Sequence, residues 1–169
     1  RERIFIVGFR KNYKFMFPLP ATKSLRLEDI LEKDDKVDKK HVASKKILET
    51  RQVRIKGKFV FYPSIWHENK SGNIGIHPYS CALRAGASYN YLLVNGVRRL
   101  TPRENLRLQG FPEDYPIVVP DSQVRKQAGN SVAIPCVLAV ARQMQKSILE
   151  GKVNKVVTKA EPSKQLELV

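Results

Sequence analysis

Few side chains in this sequence have both the type and the setting for covalent chemistry. The thiols of Cys81 and Cys136 are the nucleophile candidates, and a reactive thiolate needs an electropositive, partly open surrounding. Cys136 follows Pro135 within AIPCVLAVA. Proline there suits a helix start, and a cysteine among aliphatics reads as a small buried hydrophobe. Cys81 lies in a loop-like stretch and is no better placed. His41, His67 and His77 are scattered, and the cysteine spacing fits no zinc pattern, so no metal site is expected. The remaining chemistry is recognition. Tyr79, Ser80, Arg84, Ser88, Tyr89 and Asn90 supply donors, acceptors and flat rings suited to base edges and phosphates. Tyr91 beside them reads as a core aromatic.

Charge points the same way. Lys plus Arg number 31 against 16 Asp plus Glu, a formal net charge of +15. Basic side chains in such excess neutralise phosphates and release counterions, which favours a polyanionic partner. Hydrophobic residues make up 42% of the 169-residue chain, enough for one core and part of another. Two cysteines are too few for a disulfide framework and suit a reducing, cytoplasmic setting. No apolar run approaches the roughly 18 residues of a membrane span, and no signal peptide is visible.

Positioning these residues requires the following elements. Ile4 to Phe9 (IFIVGF) is a near-continuous apolar run that suits a strand covered on both faces. A small domain opening on it, at Arg1 rather than Met, reads as continuing something upstream. A Pro-bearing connector follows, then a short helix over Leu25–Leu31. Residues 32–46 read as a charged, solvated loop, with Ser44 a candidate N-cap for a second helix. The basic–apolar alternation of 53–66 predicts a hairpin turning at Gly57, and 69–90 reads as loops. Asn95–Gly96 between Tyr91–Val94 and Val97–Leu100 is a strong hairpin signal, because both turn positions need positive φ. Thr101-Pro102-Arg103-Glu104 is a capping box with proline at the first helical position, and Gly110 is a plausible stop. Asp121–Gln127 predicts a helix ended by Gly129. Pro135–Leu149 predicts another, with Val137, Ala141, Met144 and Ile148 on its apolar face and Gly151 as its stop.

Three segments together resemble the DNA (cytosine-5) methyltransferase family. Arg1-Glu2-Arg3-Ile4-Phe5-Ile6-Val7-Gly8-Phe9 is similar to the family's Gln-x-Arg-x-Arg motif, from just past the Gln, with the strand after it. Arg99-Leu100-Thr101-Pro102-Arg103-Glu104 followed by Arg107-Leu108-Gln109-Gly110-Phe111-Pro112 is similar to the segment closing the recognition domain. Gln127-Ala128-Gly129-Asn130-Ser131-Val132 is similar to the final motif. The likeness is close over 1–20 and 92–145. Between them it holds only in kind, with Ala82–Leu83 where the family has Thr-Leu or Thr-Val.

The resemblance implies an enzyme that flips a cytosine out of double-stranded DNA and transfers a methyl group to C5 from S-adenosyl-L-methionine. It implies that Arg3 reaches the flipped base and Arg1 orients neighbouring catalytic groups. Asn130, Ser131 and Val132 would line the cofactor pocket, and Arg103 and Glu104 would tie the recognition and catalytic domains. It also implies an α+β fold. A β-rich target-recognition domain spans 21–120, and 1–20 is a strand and linker from the α/β catalytic domain. Residues 121–151 are a return segment and helix on that domain, and 152–169 a polar tail. The family's Phe-x-Gly-x-Gly, Pro-Cys-Gln and Glu-Asn-Val motifs do not occur in this sequence, so the chain is expected to be inactive alone and to partner an N-terminal catalytic half. The implied setting is bacterial restriction–modification, in the cytoplasm and on the nucleoid when DNA-bound. A stand-alone sequence-specific DNA-binding module is the alternative.

Overall fold

The computed structural model describes residues 4–20 and 25–151. The chain divides into two units, Pro20–Val137 and the pairing of Arg1–Leu19 with Leu138–Val169. Arg1 and Arg3 lie outside the described residues, as does the tail from 152. Among the described residues no helix is long and apolar enough to cross a membrane.

The larger unit is mixed α/β and centres on a three-stranded antiparallel sheet. Strands β1 (Ile65–Glu68), β2 (Ile74–His77) and β3 (Leu92–Val94) lie in the order β2-β1-β3. Successive residues of a strand face opposite ways, and β1 is covered on both sides. Ile65 packs with Leu27, Leu83, Tyr91, Leu92, Val94 and Ala128, whereas Trp66 packs with Ile55 and Ile74. Gly96 lies flat on the indole: a Cβ there would stand 2.5 Å from Trp66.

Helix α1 (Leu27–Ile30) is shorter than expected. The charged segment after it holds two 3-10 turns, Asp34–Lys36 and Lys39–His41, and buries His41 and Ala43, so it is less solvated than its composition suggests. Helix α2 (Lys45–Arg54) starts after Ser44. The expected hairpin over 53–66 does not form. Its first residues complete α2, Gly57 (φ 81°) follows the helix, and 59–62 is unpaired with Phe59 and Tyr62 exposed. The helix prevails because it is fastened by polar contacts that periodicity does not show. Buried Arg51 donates to Glu68 Oε2 at 3.0 Å, and Arg54 to Glu68 Oε1 at 2.7 Å. The hairpin is instead β1–β2, and β2 falls within the stretch expected to be loop.

The Asn95–Gly96 turn forms, with φ of 52° and 71°. Its strand β3 pairs mainly with β1, and the far arm makes two isolated bridges at Arg98, to Val94 and to Val42. Helix α3 (Pro102–Leu108) has the expected capping box: Thr101 Oγ1 accepts from Glu104 N, and the Glu104 carboxylate accepts from Thr101 N. Gly110 (φ 78°) ends it, with Gly110 N donating to Arg107 O and Phe111 N to Leu106 O, a Schellman closure.

Helix α4 (Asp121–Asn130) runs through Gly129, which therefore is not its stop. Helix α5 (Ile134–Glu150) forms as expected and is followed by Gly151 (φ 61°). Its expected apolar face is not its covered one. Val137, Ala141 and Ile148 are exposed, and Ser147 is its one buried residue among those described. Cys136 is exposed too, which corrects its reading as a buried hydrophobe.

In the smaller unit, residues 4–9 form no strand pairing among the described residues. Ile4 and Ile6 are 90% and 93% exposed, and Phe9 packs edge-on against Tyr13.

Candidate nucleic-acid interface

The loop between β2 and β3 carries the recognition candidates. It is pinned at its middle by Tyr91, which is buried as expected; its hydroxyl accepts from Arg84 N at 2.9 Å and donates to Ala82 O at 3.3 Å. Burial holds the Tyr91 phenol above its ordinary pKa. The loop then touches α4 at Gly129, where a Cβ would stand 2.3 Å from Ala85 N. Only glycine permits that approach. The residue expected to stop the helix is thus the seat for the recognition loop. Arg125, one turn earlier on α4, donates to Ala87 O at 3.1 Å.

Tyr89 lies between two guanidinium groups, Arg99 at 4.6 Å and Arg125 at 5.0 Å from its ring centroid. Arg84 lies over Tyr91 at 4.9 Å. Among the described residues no carboxylate is within ion-pair distance of Arg84, Arg99 or Arg125. Their charge is held by aromatic faces and carbonyl groups and remains available to an anion. Asn90 is tied into this arrangement, its side chain accepting from Arg99 at 3.2 Å and its carbonyl from Arg51. Ser88 is exposed. Tyr79 is exposed and stacks on His77 at 5.2 Å, whereas Ser80 is half-buried and donates to Cys81 O. An open cleft between the β1–β2 turn and the loop is bordered by Arg54, Lys70, Arg84 and Ser88.

The structure therefore gathers Arg84, Ser88, Tyr89 and Asn90, and adds Arg54, Lys70, Arg99 and Arg125. Sequence gave no local signal for these four, since which arginine meets a carboxylate is decided by tertiary contacts. The three residues once read as scattered, His67, His77 and Cys81, also come together, with one ligand atom from each within 4.8 Å of the others.

A second cluster is structural. Glu104, fully buried, takes a bidentate pair from Arg98, both contacts at 2.9 Å, and also accepts from Glu32 N at 2.8 Å. Arg98 reaches Asp34 at 2.7 Å. Burial opposes the Arg98 charge, but the hydrogen bonds to Glu104 and Asp34 outweigh it and raise its pKa.

Asn130 and Ser131 end α4. Asn130 and Val132 are exposed, and the Ser131 hydroxyl donates to Val132 O at 3.0 Å. Asn130, Ser131 and Val132 do not line the cleft bordered by Arg54, Lys70 and Arg84. The segment is braced from below: Gln109 donates to Ala128 O at 2.6 Å and accepts from Ile134 N at 2.8 Å, while Gly110 abuts Pro135. The two motif-bearing stretches are thus in direct contact.

Residues 1–146 match the family model of the C-5 cytosine-specific DNA methylases. The Type II methyltransferase M.HaeII of Haemophilus aegyptius is 55% identical over 148 residues, covering 88% of this chain and 46% of that protein. M.NgoBI of Neisseria gonorrhoeae is 52% identical over 155 residues, covering 92% and 48%. The chain spans about half the length of these relatives. Among solved structures, the Entamoeba histolytica methyltransferase EhMeth superposes with a TM-score of 0.45 at 14% identity, over 82% of this chain and 45% of that one.

Proposed function

The chain belongs to the C-5 cytosine-specific DNA methylases, and from that premise we propose that it is the DNA-recognising part of a restriction–modification methyltransferase acting on C5 of cytosine. The observation that carries this reading is the docking of the 84–90 loop on α4 at Gly129, with Arg84 on the open cleft and Arg99 and Arg125 on the Tyr89 ring, none of the three meeting a carboxylate among the described residues. In this reading duplex phosphates run along Lys70 and Arg84, and Ser88, Asn90 and Tyr79 face base edges. The loop sits in the recognition domain proposed for 21–120, which is mixed α/β rather than β-rich, with 1–20 and 121–151 belonging to the catalytic domain.

In this proposal the chain works with the N-terminal catalytic half or subunit of the methyltransferase. Exposed Ile4 and Ile6 offer it apolar surface, and Arg1 and Arg3 would act at its reaction centre, Arg3 at the flipped base. S-adenosyl-L-methionine supplies the methyl group. The exposed Asn130 amide and Val132 side chain fit one wall of its site, the other walls belonging to the catalytic half. The setting proposed is the bacterial cytoplasm, on the nucleoid when DNA is bound.

The test is transfer of labelled methyl from S-adenosyl-L-methionine to unmethylated duplex DNA, with this chain alone and with the candidate catalytic half added. Activity in the mixture only, lost on Arg3→Ala, is the expected result. Activity from the chain alone would place a nucleophile in it and return attention to Cys136. No transfer in either tube, with duplex still bound at moderate salt, would make it a stand-alone binding module.

A further inference from the structure

Hairpin β1–β2 and the residues after it gather three metal-ligating side chains. His67 on β1 pairs directly with Gly75 on β2, and His77 stands two residues further along β2. Alternation puts both histidines on the same face of the hairpin. Gly75 leaves that face open: a Cβ there would stand 2.5 Å from His77 Nε2 and 3.2 Å from its Cε1. The His77 ring therefore lies back over the glycine, toward His67. Cys81 arrives from the start of the recognition loop, so that one ligand atom from each residue lies within 4.8 Å of the other two, all three being half-buried. We propose that His67, His77 and Cys81 form a transition-metal site suited to zinc(II), which fastens the recognition loop to the hairpin.

The donor set is the borderline-soft nitrogen and sulfur combination that zinc takes, with a fourth position left to water. Bond lengths of about 2.0–2.1 Å to nitrogen and 2.3 Å to sulfur put tetrahedral ligand atoms roughly 3.3–3.6 Å apart. Closing from 4.8 Å takes small side-chain rotations and no rearrangement of the strands. The neighbours already orient both rings: Tyr79 stacks on His77 and Tyr91 meets His67 edge-on at 6.1 Å. Burial favours neutral His67, the ligating form, and the Arg84 charge adds to that effect. Burial also holds the Cys81 thiol above its ordinary range, partly offset by Arg84. As the sulfur–metal bond forms, the thiol proton passes to solvent and the metal takes over the stabilisation of the thiolate. The ion would anchor the loop at its first turn, as Gly129 seats it further on, so the site is independent of whether the chain takes part in methyl transfer.

The experiment uses the untagged full chain carrying Cys136→Ser, so that Cys81 is its one thiol. Cobalt(II) is titrated first, then zinc(II). The expected result is stoichiometric uptake with a thiolate-to-cobalt charge-transfer band and tetrahedral d–d absorption, both removed by zinc. Zinc should also protect Cys81 from alkylation until a chelator is added. His77→Ala should weaken cobalt binding by more than about 100-fold, beyond the 10–100-fold typical of losing a residue that only supports a ligand. No charge-transfer band at stoichiometric cobalt, or Cys81 alkylated equally fast with and without zinc, overturns the proposal without reference to any variant. An unchanged cobalt spectrum in a folded His77→Ala chain overturns the assignment of ligands.

Discussion

Arginine does opposite work in two neighbouring regions of the larger unit. In the frame around α3, Arg98 is buried and its guanidinium meets Glu104 and Asp34, while Arg107 meets Glu113 at 2.5–2.8 Å. In the recognition loop and its supports, Arg84, Arg99 and Arg125 face tyrosine rings and carbonyl groups instead. A carboxylate cancels the charge and lends geometry; an aromatic face lends geometry and leaves the charge in place. The first region holds the fold, and the second keeps guanidinium charge that no carboxylate among the described residues cancels. Sequence position alone cannot separate them, because Arg98 and Arg99 are adjacent yet fall into opposite groups.

The largest test of this contrast is Glu104→Gln. It keeps the shape and removes the anion, leaving Arg98 buried with only Asp34, which is itself largely exposed. Breaking a buried pair from one side costs about 3–5 kcal/mol. Chemical denaturation should show a loss of that order, with the slope of the transition unchanged. A loss below about 1 kcal/mol would mean that the pair is no more than a surface bridge.

Gly129→Ala probes the joint between the two regions. The added Cβ would meet Ala85 backbone at 2.3 Å, and backbone cannot move aside as a side-chain tip can. Overpacking of this kind costs about 1–3 kcal/mol. Because the contact is with the loop, duplex binding should weaken together with stability. Wild-type binding in a destabilised chain would detach the loop's position from α4.

The Gly129 contact also marks where sequence reading stops. Elements with local causes were legible: the capping box at Thr101, the Asn95–Gly96 turn, and α5, while α2 starts after Ser44 without a side-chain cap. What failed was fixed by distant partners. Gly129 looks like a stop until Ala85 is placed beside it. The alternation at 53–66 suggests a strand until Arg51 and Arg54 are seen to reach Glu68. His67, His77 and Cys81 have no motif spacing because a strand pairing, not a local turn, unites them. The loop residues Arg84, Ser88, Tyr89 and Asn90 stood out by type and lie together, whereas the neighbouring Arg99 and Arg125 did not stand out, since nothing local distinguishes them from Arg98.

Arg84→Ala should separate the regions in the opposite sense to Glu104→Gln. Its side chain is exposed, so stability should change by no more than about 0.5 kcal/mol. Duplex affinity should fall, and the slope of log affinity against log salt should shrink by about 1, the signature of one lost phosphate contact. An unchanged slope with lost sequence preference would instead move Arg84 from the phosphates to a base edge.

The smallest expected effect is a pH dependence at His41, where the two regions meet. The imidazole is buried, and its Nε2 lies 3.7 Å from Asp121, the first residue of α4. Burial lowers its pKa; Asp121 and Asp38 oppose this, while Lys40 and Arg99 reinforce it, and the net direction is down. The native chain therefore resists protonation that the unfolded chain accepts near pH 6.5. The unfolded state binds more protons in that window, so stability falls as pH drops below about 6.5 and levels off under the native pKa. Above that window the group contributes no pH slope. His41→Gln should flatten this part of the stability profile between pH 7 and 5. A steeper loss in the variant would mean that the Asp121 attraction outweighs burial and that His41 is charged in the native state.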